Sequence, residues 1–281
     1  MNGPLFELKD VYFSYLGKYP ALCGIDMDIR AGEKIAVIGA NGTGKSTLLQ
    51  LLDGLIFPDK GNIIFRGRDL SEKSLDSPAF SREFRGKVGL VFQNPDIQLF
   101  CPTVREDITF GPLQLGVDVR AIEKRLDDLT ALLGIKHLLD RAPHQLSIGE
   151  KRKVSIASTL AMDPEVIILD EPTAGLDPQT TRHIIDLITQ ANQDGKTIIT
   201  ATHDLHIIEE ISDTVYAFSG LKKISRSGPT EELLKDTAFL TENNLMHVHQ
   251  HRHKDKVHVH PHLHLDHHPE GENSRPGLES H

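Results

Sequence analysis

Cysteine is scarce in this chain. Its 281 residues include two, Cys23 and Cys101, with no CxxC spacing. A disulfide framework and a thiolate metal site are therefore not expected, and a reducing compartment is the simpler reading. Long apolar runs are lacking too: stretches such as Val166–Leu169 fall far short of a membrane span. The opening residues MNGPLFELKD hold no basic region followed by an apolar one, so no secretory leader is expected. Nor is there a basic excess. The 31 Lys and Arg face 40 Asp and Glu, a net charge of −9, which argues against nucleic acid as a partner. No internal repeat is visible. What remains, 25% charged and 38% hydrophobic residues, is ordinary for a globular chain with room for one large or two small domains.

Patterning separates a folded region from a tail. Leu5–Tyr15 alternates apolar and polar residues as a strand does, and so does Asp26–Ile29. Lys34–Ile38 is a short apolar run ending at Gly39, and Ser46–Leu55 follows with helical spacing through Leu48, Leu49, Leu51 and Leu52. Ile63–Phe65 and Val88–Phe92 are strand-like. Val119–Leu133 then places Ile122, Leu126, Leu129 and Leu133 at helix spacing, which predicts a helical insertion over about residues 95–160. Strand signals return at Val166–Leu169, Thr197–Ala201 and Thr214–Phe218, alternating with helices at Pro178–Ala191 and Asp204–Ile211. Such alternation predicts an α/β fold with a parallel sheet covered on both faces. After Leu245 the composition breaks. Residues 246–281 hold most of the chain's 16 histidines, with Pro261, Pro269, Gly271, Pro276 and Gly277 interspersed, and are expected to lack regular structure.

The chemistry begins at Gly39-Ala40-Asn41-Gly42-Thr43-Gly44-Lys45-Ser46, followed by Thr47. The pattern GxxxxGK[ST] stands between an apolar strand and a helix. Glycines there let successive backbone N–H groups turn toward phosphates, and the helix N-terminus adds partial positive charge. Lys45 is suited to the β- and γ-phosphates of a bound nucleotide, and the Ser46 hydroxyl to Mg²⁺. A loop that merely turns the chain would explain the glycines but not Lys45-Ser46. Asp170 and Glu171 end an apolar strand. The first is placed to hold Mg²⁺, the second to accept a hydrogen bond from an attacking water. His203 and Gln93 each follow a strand and should emerge at the same sheet edge, His203 toward the γ-phosphate or the water and Gln93 toward the metal or the water. Tyr15 offers an aromatic face to the base.

Taken in order, these motifs resemble those of the ATP-binding cassette ATPases, over roughly Leu5 to Leu245. Gly39–Ser46 resembles the Walker A loop and Val166–Glu171 Walker B. Gln93 matches the Q-loop, Leu146–Glu150 the signature sequence, Ala174–Asp177 the D-loop, and His203 the switch histidine. The resemblance implies a P-loop NTPase core with an N-terminal antiparallel β subdomain and an inserted α-helical subdomain, a cassette of residues 1–245. It also implies a head-to-tail pair with a second ATPase subunit, identical or paralogous. ATP at Lys45 of one chain would be capped by Ser147 and Gly149 of the other, with Asp177 at the same interface. One departure stands out: LSIGE replaces LSGGQ, so Ile148 and Glu150 stand where the family has Gly and Gln, while Ser147 and Gly149 are kept. An active site is therefore expected, and a degenerate, slow site is the rival reading that departure leaves open.

Phe92–Pro112 resembles the corresponding stretch of energy-coupling-factor ATPases, which implies a peripheral position at the cytoplasmic face of the cell membrane, under integral coupling and substrate-binding subunits. Leu99, Phe100 and Val104 are candidates to line the groove that receives such a subunit, or to pack the base of the helical region. The alternating runs His247, His249, His251, His253 and His258, His260, His262, His264 are good imidazole donors for Ni²⁺, Co²⁺, Zn²⁺ or Cu²⁺, with poor selectivity expected in the absence of a carboxylate or thiolate cage. The tail resembles those of cobalt and nickel uptake ATPases. A vitamin importer with an incidental tail, and a soluble cassette ATPase outside transport, are the alternatives.

Overall fold

The computed structural model describes residues 3–245 and, in the tail, the backbone of 247–253 and 256–262. In chain order the first elements are β1 (Phe6–Tyr15), β2 (Tyr19–Ile29), β3 (Lys34–Ile38), α1 (Lys45–Leu52), β4 (Lys60–Phe65) and β5 (Arg68–Asp69). Next come α2 (Glu72–Leu75), α3 (Pro78–Lys87), β6 (Val88–Val91), α4 (Val104–Gln114), α5 (Val119–Leu132), α6 (Ile148–Leu160) and β7 (Val166–Asp170). They are followed by α7 (Pro178–Gln193), β8 (Thr197–Thr202), α8 (Leu205–Ile211), β9 (Thr214–Phe218), β10 (Ile224–Pro229), α9 (Thr230–Lys235) and α10 (Thr237–Glu242). A hairpin of β11 (His247–His253) and β12 (Lys256–His262) closes the series.

The main sheet runs β10-β9-β3-β8-β7-β6 and is parallel except for β10, which pairs antiparallel with β9. A second, antiparallel sheet has the order β2-β1-β4-β5. Burial on both faces explains why β7 reads as an unbroken apolar run. Val166 and Ile168 pack with α1 and the antiparallel sheet, while Ile167 and Leu169 pack on the other side with α4, α6 and α7. A strand covered on both sides has no polar face to alternate with. β3 behaves in the same way, sending Ile35 and Val37 to one cluster and Ala36 and Ile38 to another with α8. Parallel strands put their C-terminal ends on one edge, so β3, β6, β7 and β8 deliver their following loops together.

Three departures from the patterning have local causes. β2 begins at Tyr19 rather than Asp26, because Pro20 and Gly24 read as breakers. At the edge of its sheet, a strand tolerates a proline that donates no hydrogen bond. β10 carries no apolar signal, since Ile224 and its neighbours are largely exposed at the other sheet's edge. In the tail, where composition predicts irregular structure, two segments have strand backbone. His247–His253 and Lys256–His262 pair antiparallel, opposing His247 to His262, His249 to His260 and His251 to His258. Pro261 sits in a two-stranded ribbon, where each strand has a free edge. His264 lies outside the described residues.

Candidate nucleotide site

The loop from Gly39 to Gly44 joins the end of β3 to the start of α1. Gly44 is the N-cap of α1 at φ 108°, and a Cβ there would meet the carbonyl oxygen of Ala21 in β2 at 2.3 Å. No L-residue side chain fits, so the antiparallel sheet dictates a glycine at this position. Thr43 braces the turn by donating its hydroxyl to the Ala40 carbonyl at 2.9 Å. Lys45, almost wholly buried, folds back to donate its Nζ to the carbonyls of Gly39 at 2.7 Å and Ala40 at 3.4 Å. Burial pulls its pKa down, and the charges of Glu171 and Asp170 oppose that shift.

The loop forms the floor of a cleft of about 450 Å³, whose walls include Asn41, Gly42, Ser46, Thr47, Gln93 and Glu171. Tyr15 stands at its side, 43% exposed, with its hydroxyl 3.1 Å from Thr47 Oγ1. Phe13 supports it edge-on at a ring distance of 5.0 Å. An exposed aromatic face beside a phosphate loop suits a purine.

Asp170 is the last residue of β7 and is buried, with Oδ1 lacking a hydrogen-bond partner among the described residues. Burial raises its pKa; the Ser46 hydrogen bond opposes this and Glu171 adds to it, while Lys45 and Arg152 pull the other way. A buried carboxylate oxygen without a donor, beside a hydroxyl, is a donor set for a small hard cation. These residues therefore fit Mg²⁺. Among the residues with described side chains, no group of three or more His, Cys, Asp or Glu forms a separate metal cluster.

Glu171 follows with φ 46°, a left-handed conformation that is costly for a residue with a Cβ and recurs where function demands it. Its backbone N–H donates to Ala201 O of β8 at 2.9 Å. Its Oε1 lies 2.8 Å from His203 Nδ1 and 3.9 Å from Lys45 Nζ, and Thr202 donates its hydroxyl to Oε2 at 3.2 Å. The carboxylate is thus 5% exposed yet fully oriented at the cleft.

Ser147, Gly149 and Asp177 are not brought to this cleft. Ser147 caps α6 and Asp177 caps α7, accepting from Thr180 N at 2.9 Å. A Cβ on Gly149 would touch nothing closer than Thr180 at 3.9 Å. The three residues therefore form one surface of their own, separate from the chain's phosphate loop. Glu150 closes a capping box there, its Oε2 accepting from both Ser147 N and Ser147 Oγ at 2.8 Å. Ile148 is 65% exposed on the same surface.

Two residues of the cleft, and one that supports the Gln93 segment behind it, were not legible in the sequence. Tyr19 and Lys222 line the cleft, and Lys222 donates its Nζ to the Gly42 carbonyl. It reaches the loop from the turn after β9, so nothing local announces it. Arg152, in the basic first turns of α6, is buried and donates to the Phe92 and Gln93 carbonyls. The groove expectation is corrected in part. Leu99 and Val104 are buried in the core with Val91 and Ile108, and Phe100 is exposed.

A phosphate-cradling loop at the head of a parallel sheet, with a carboxylate pair ending the strand two places away, defines a P-loop nucleoside triphosphatase. The chain belongs to the ABC transporter family, whose model matches residues 22–174, and it is an ATP-binding ATPase of that family. It is 46% identical to the nickel import ATP-binding protein NikO of Rhodobacter capsulatus, across 86% of this chain and 96% of that one. It is 42% identical to the energy-coupling factor transporter ATP-binding protein EcfA of Methanothermobacter thermautotrophicus, across 86% and 76%. Among solved structures, CbiO1 of Clostridium perfringens, part of the ABC transporter complex CbiONQ, superposes with a TM-score of 0.72 at 36% identity, covering 87% of this chain and 96% of that one. A dimeric ATP-binding cassette in a post-hydrolysis state with ADP and Pi superposes with the same TM-score at 26% identity, across 80% and 98%.

Proposed function

We propose that this chain is the ATP-hydrolysing motor of a membrane importer for nickel or cobalt ions, acting in a head-to-tail ATPase pair. The likeness to a nickel import ATPase over nearly the whole cassette carries the reading, and the likeness to CbiO1 supports it. The 42% identity to EcfA favours a second reading, an energy-coupling-factor importer, with a vitamin as the alternative cargo. Among the described residues no helix is long and apolar enough to cross a membrane, and the likeness to CbiO1, part of the transporter complex CbiONQ, supports membrane subunits as partners.

In this mechanism the loop N–H groups from Asn41 to Thr47 and the Lys45 ammonium hold the phosphates. Ser46, Asp170 and Gln93 hold Mg²⁺, which when bound offsets phosphate charge. Glu171 accepts a proton from water as the water oxygen bonds to the γ-phosphorus and the bond to ADP breaks. His203, already paired with Glu171, orients that carboxylate and reaches the γ-phosphate. Ser147 and Gly149 cap the partner's ATP at the α6 N-terminus, and Asp177 meets the partner across the same interface. ATP is then the adhesive of the dimer, and hydrolysis releases it.

The exposed Phe100 and Phe110, edge to face at 5.1 Å, with Ile97 and Leu113 also exposed, suit a membrane subunit's cytoplasmic segment. The paired His positions of β11 and β12 share one hairpin face by the two-residue strand period, which supports imidazole ligation of Ni²⁺ or Co²⁺.

The test is metal uptake by the co-purified membrane complex. Uptake driven by Ni²⁺ or Co²⁺ supports the reading, and stimulation by a vitamin alone transfers it to the second. Glu171→Gln should keep ATP binding and lower turnover at least about 100-fold; normal turnover would reject the base assignment. Deletion of 246–281 should change metal-limited uptake or metal inhibition of the ATPase, and no change in either removes the tail from the mechanism.

A further inference from the structure

Arg152 joins two parts of the chain that the proposed mechanism assigns to different ATP molecules. It sits one turn beyond the α6 N-terminus that Ser147 caps, and is 2% exposed. Its Nη1 donates to the Phe92 carbonyl and its Nη2 to the Gln93 carbonyl, both at 2.6 Å. A planar guanidinium spanning two successive carbonyls fixes angle as well as distance, which a single donor does not. A second strap runs beside it. Gln98 accepts from Phe92 N at 3.2 Å and donates to the Ser155 carbonyl of α6 at 2.9 Å.

We infer that Arg152 is a positioning residue that makes the Gln93 segment and the signature end of α6 move as one body, so that Gln93 engaging the chain's own nucleotide sets the angle at which Ser147 and Gly149 meet the partner's. Lys151 also ties α6 to Asp96 at 2.7 Å, but on an exposed carboxylate. Buried charge explains the choice of residue. Burial lowers the pKa of the guanidinium and the charges of Asp170 and Glu171 oppose that shift, while the two carbonyl hydrogen bonds fix its position. The inference rests on the head-to-tail reading.

The experiment uses the full chain carrying Glu171→Gln, with and without Arg152→Met, and reads ATP-dependent dimerisation by size-exclusion chromatography beside fluorescent-nucleotide binding to the monomer. The expected result is monomer affinity within about threefold of the parent and a tenfold or greater rise in the ATP concentration needed for dimerisation. Arg152→Lys, which keeps the charge but not the fork, should fall between them. Equal dimerisation by parent and variant overturns the inference and leaves the dimer reading intact. A parent that stays monomeric with ATP overturns both. Equal losses in monomer binding and dimerisation also overturn it, since the residue then serves its own site alone. If Arg152→Met does not fold, Gln98→Met and Arg152→Lys give the same comparison, and normal dimerisation by both is again a refutation.

Discussion

Glu150 shows what one side chain does at a helix start. Its carboxylate takes up both the N–H and the hydroxyl of Ser147, which stabilises the cap but puts negative charge where a partner's γ-phosphate is proposed to bind. These hydrogen bonds also hold its pKa below the ordinary range, so the charge persists at neutral pH. Glu150→Gln should lower the ATP concentration for half-maximal hydrolysis by about two- to fivefold, the scale of one exposed charge pair, as read in steady-state ATPase assays. Unchanged kinetics would mean that Glu150 swings clear in the dimer. Asp53, at the C-terminal end of α1, gives a second residue-scale prediction. Burial pushes its carboxyl up to about 7, with the Arg85 charge opposing. A folded-state value above the unfolded 3.8 means that the folded protein binds the extra proton. This contribution to stability is complete below about pH 4 and is lost as pH rises through 7. Asp53→Asn should therefore remove that part of the slope of Tm against pH between 4 and 7, leaving the variant more stable than the parent at pH 8.

At the scale of elements, β7 ties the core to the site. It lies between β8 and β6, is buried along its length, and ends in the two carboxylates of the site. Ile168 is fully buried on the face toward α1. Ile168→Ala should cost about 2–5 kcal/mol, read as a lower denaturant midpoint with an unchanged slope. The sequence announced β7, β3 and β9 because strands covered on both faces are apolar throughout. It did not announce α3, whose apolar contribution is Phe80 and Phe84 on an otherwise polar helix. Nor did it announce the first half of β2, where an edge position tolerates Pro20. The tail hairpin was hidden for a different reason: alternating His and mixed neighbours have strand period but no apolar face.

At the scale of the whole molecule, two surfaces among the described residues, besides the nucleotide cleft, bear on assembly. One holds Ser147, Ile148, Gly149 and Asp177. The other holds the Phe100–Phe110 pair. Phe100→Ser should leave ATP binding by the isolated chain unchanged and reduce its recovery with the membrane subunits at least about tenfold, the cost of losing an aromatic anchor. Full recovery of the complex would move the docking surface elsewhere.

The sequence by itself determined the phosphate loop, the carboxylate pair and the order of strands and helices around them. In these, neighbouring residues act together, and composition and spacing record it. It also named Gln93 and His203, because each follows a strand of a parallel sheet and such sheets gather their ends. Tertiary structure alone decided the rest. Lys222 reaches Gly42 from the turn after β9, far along the chain from the loop, and Arg152 reaches back to the Phe92 and Gln93 carbonyls. Backbone carbonyls leave no residue-type signature, so a side chain that bonds to them cannot be paired with its partner from sequence. Leu99 and Val104 look like Phe100 in a list of apolar residues. Packing buried the first two against Val91 and Ile108 and left the third in solvent.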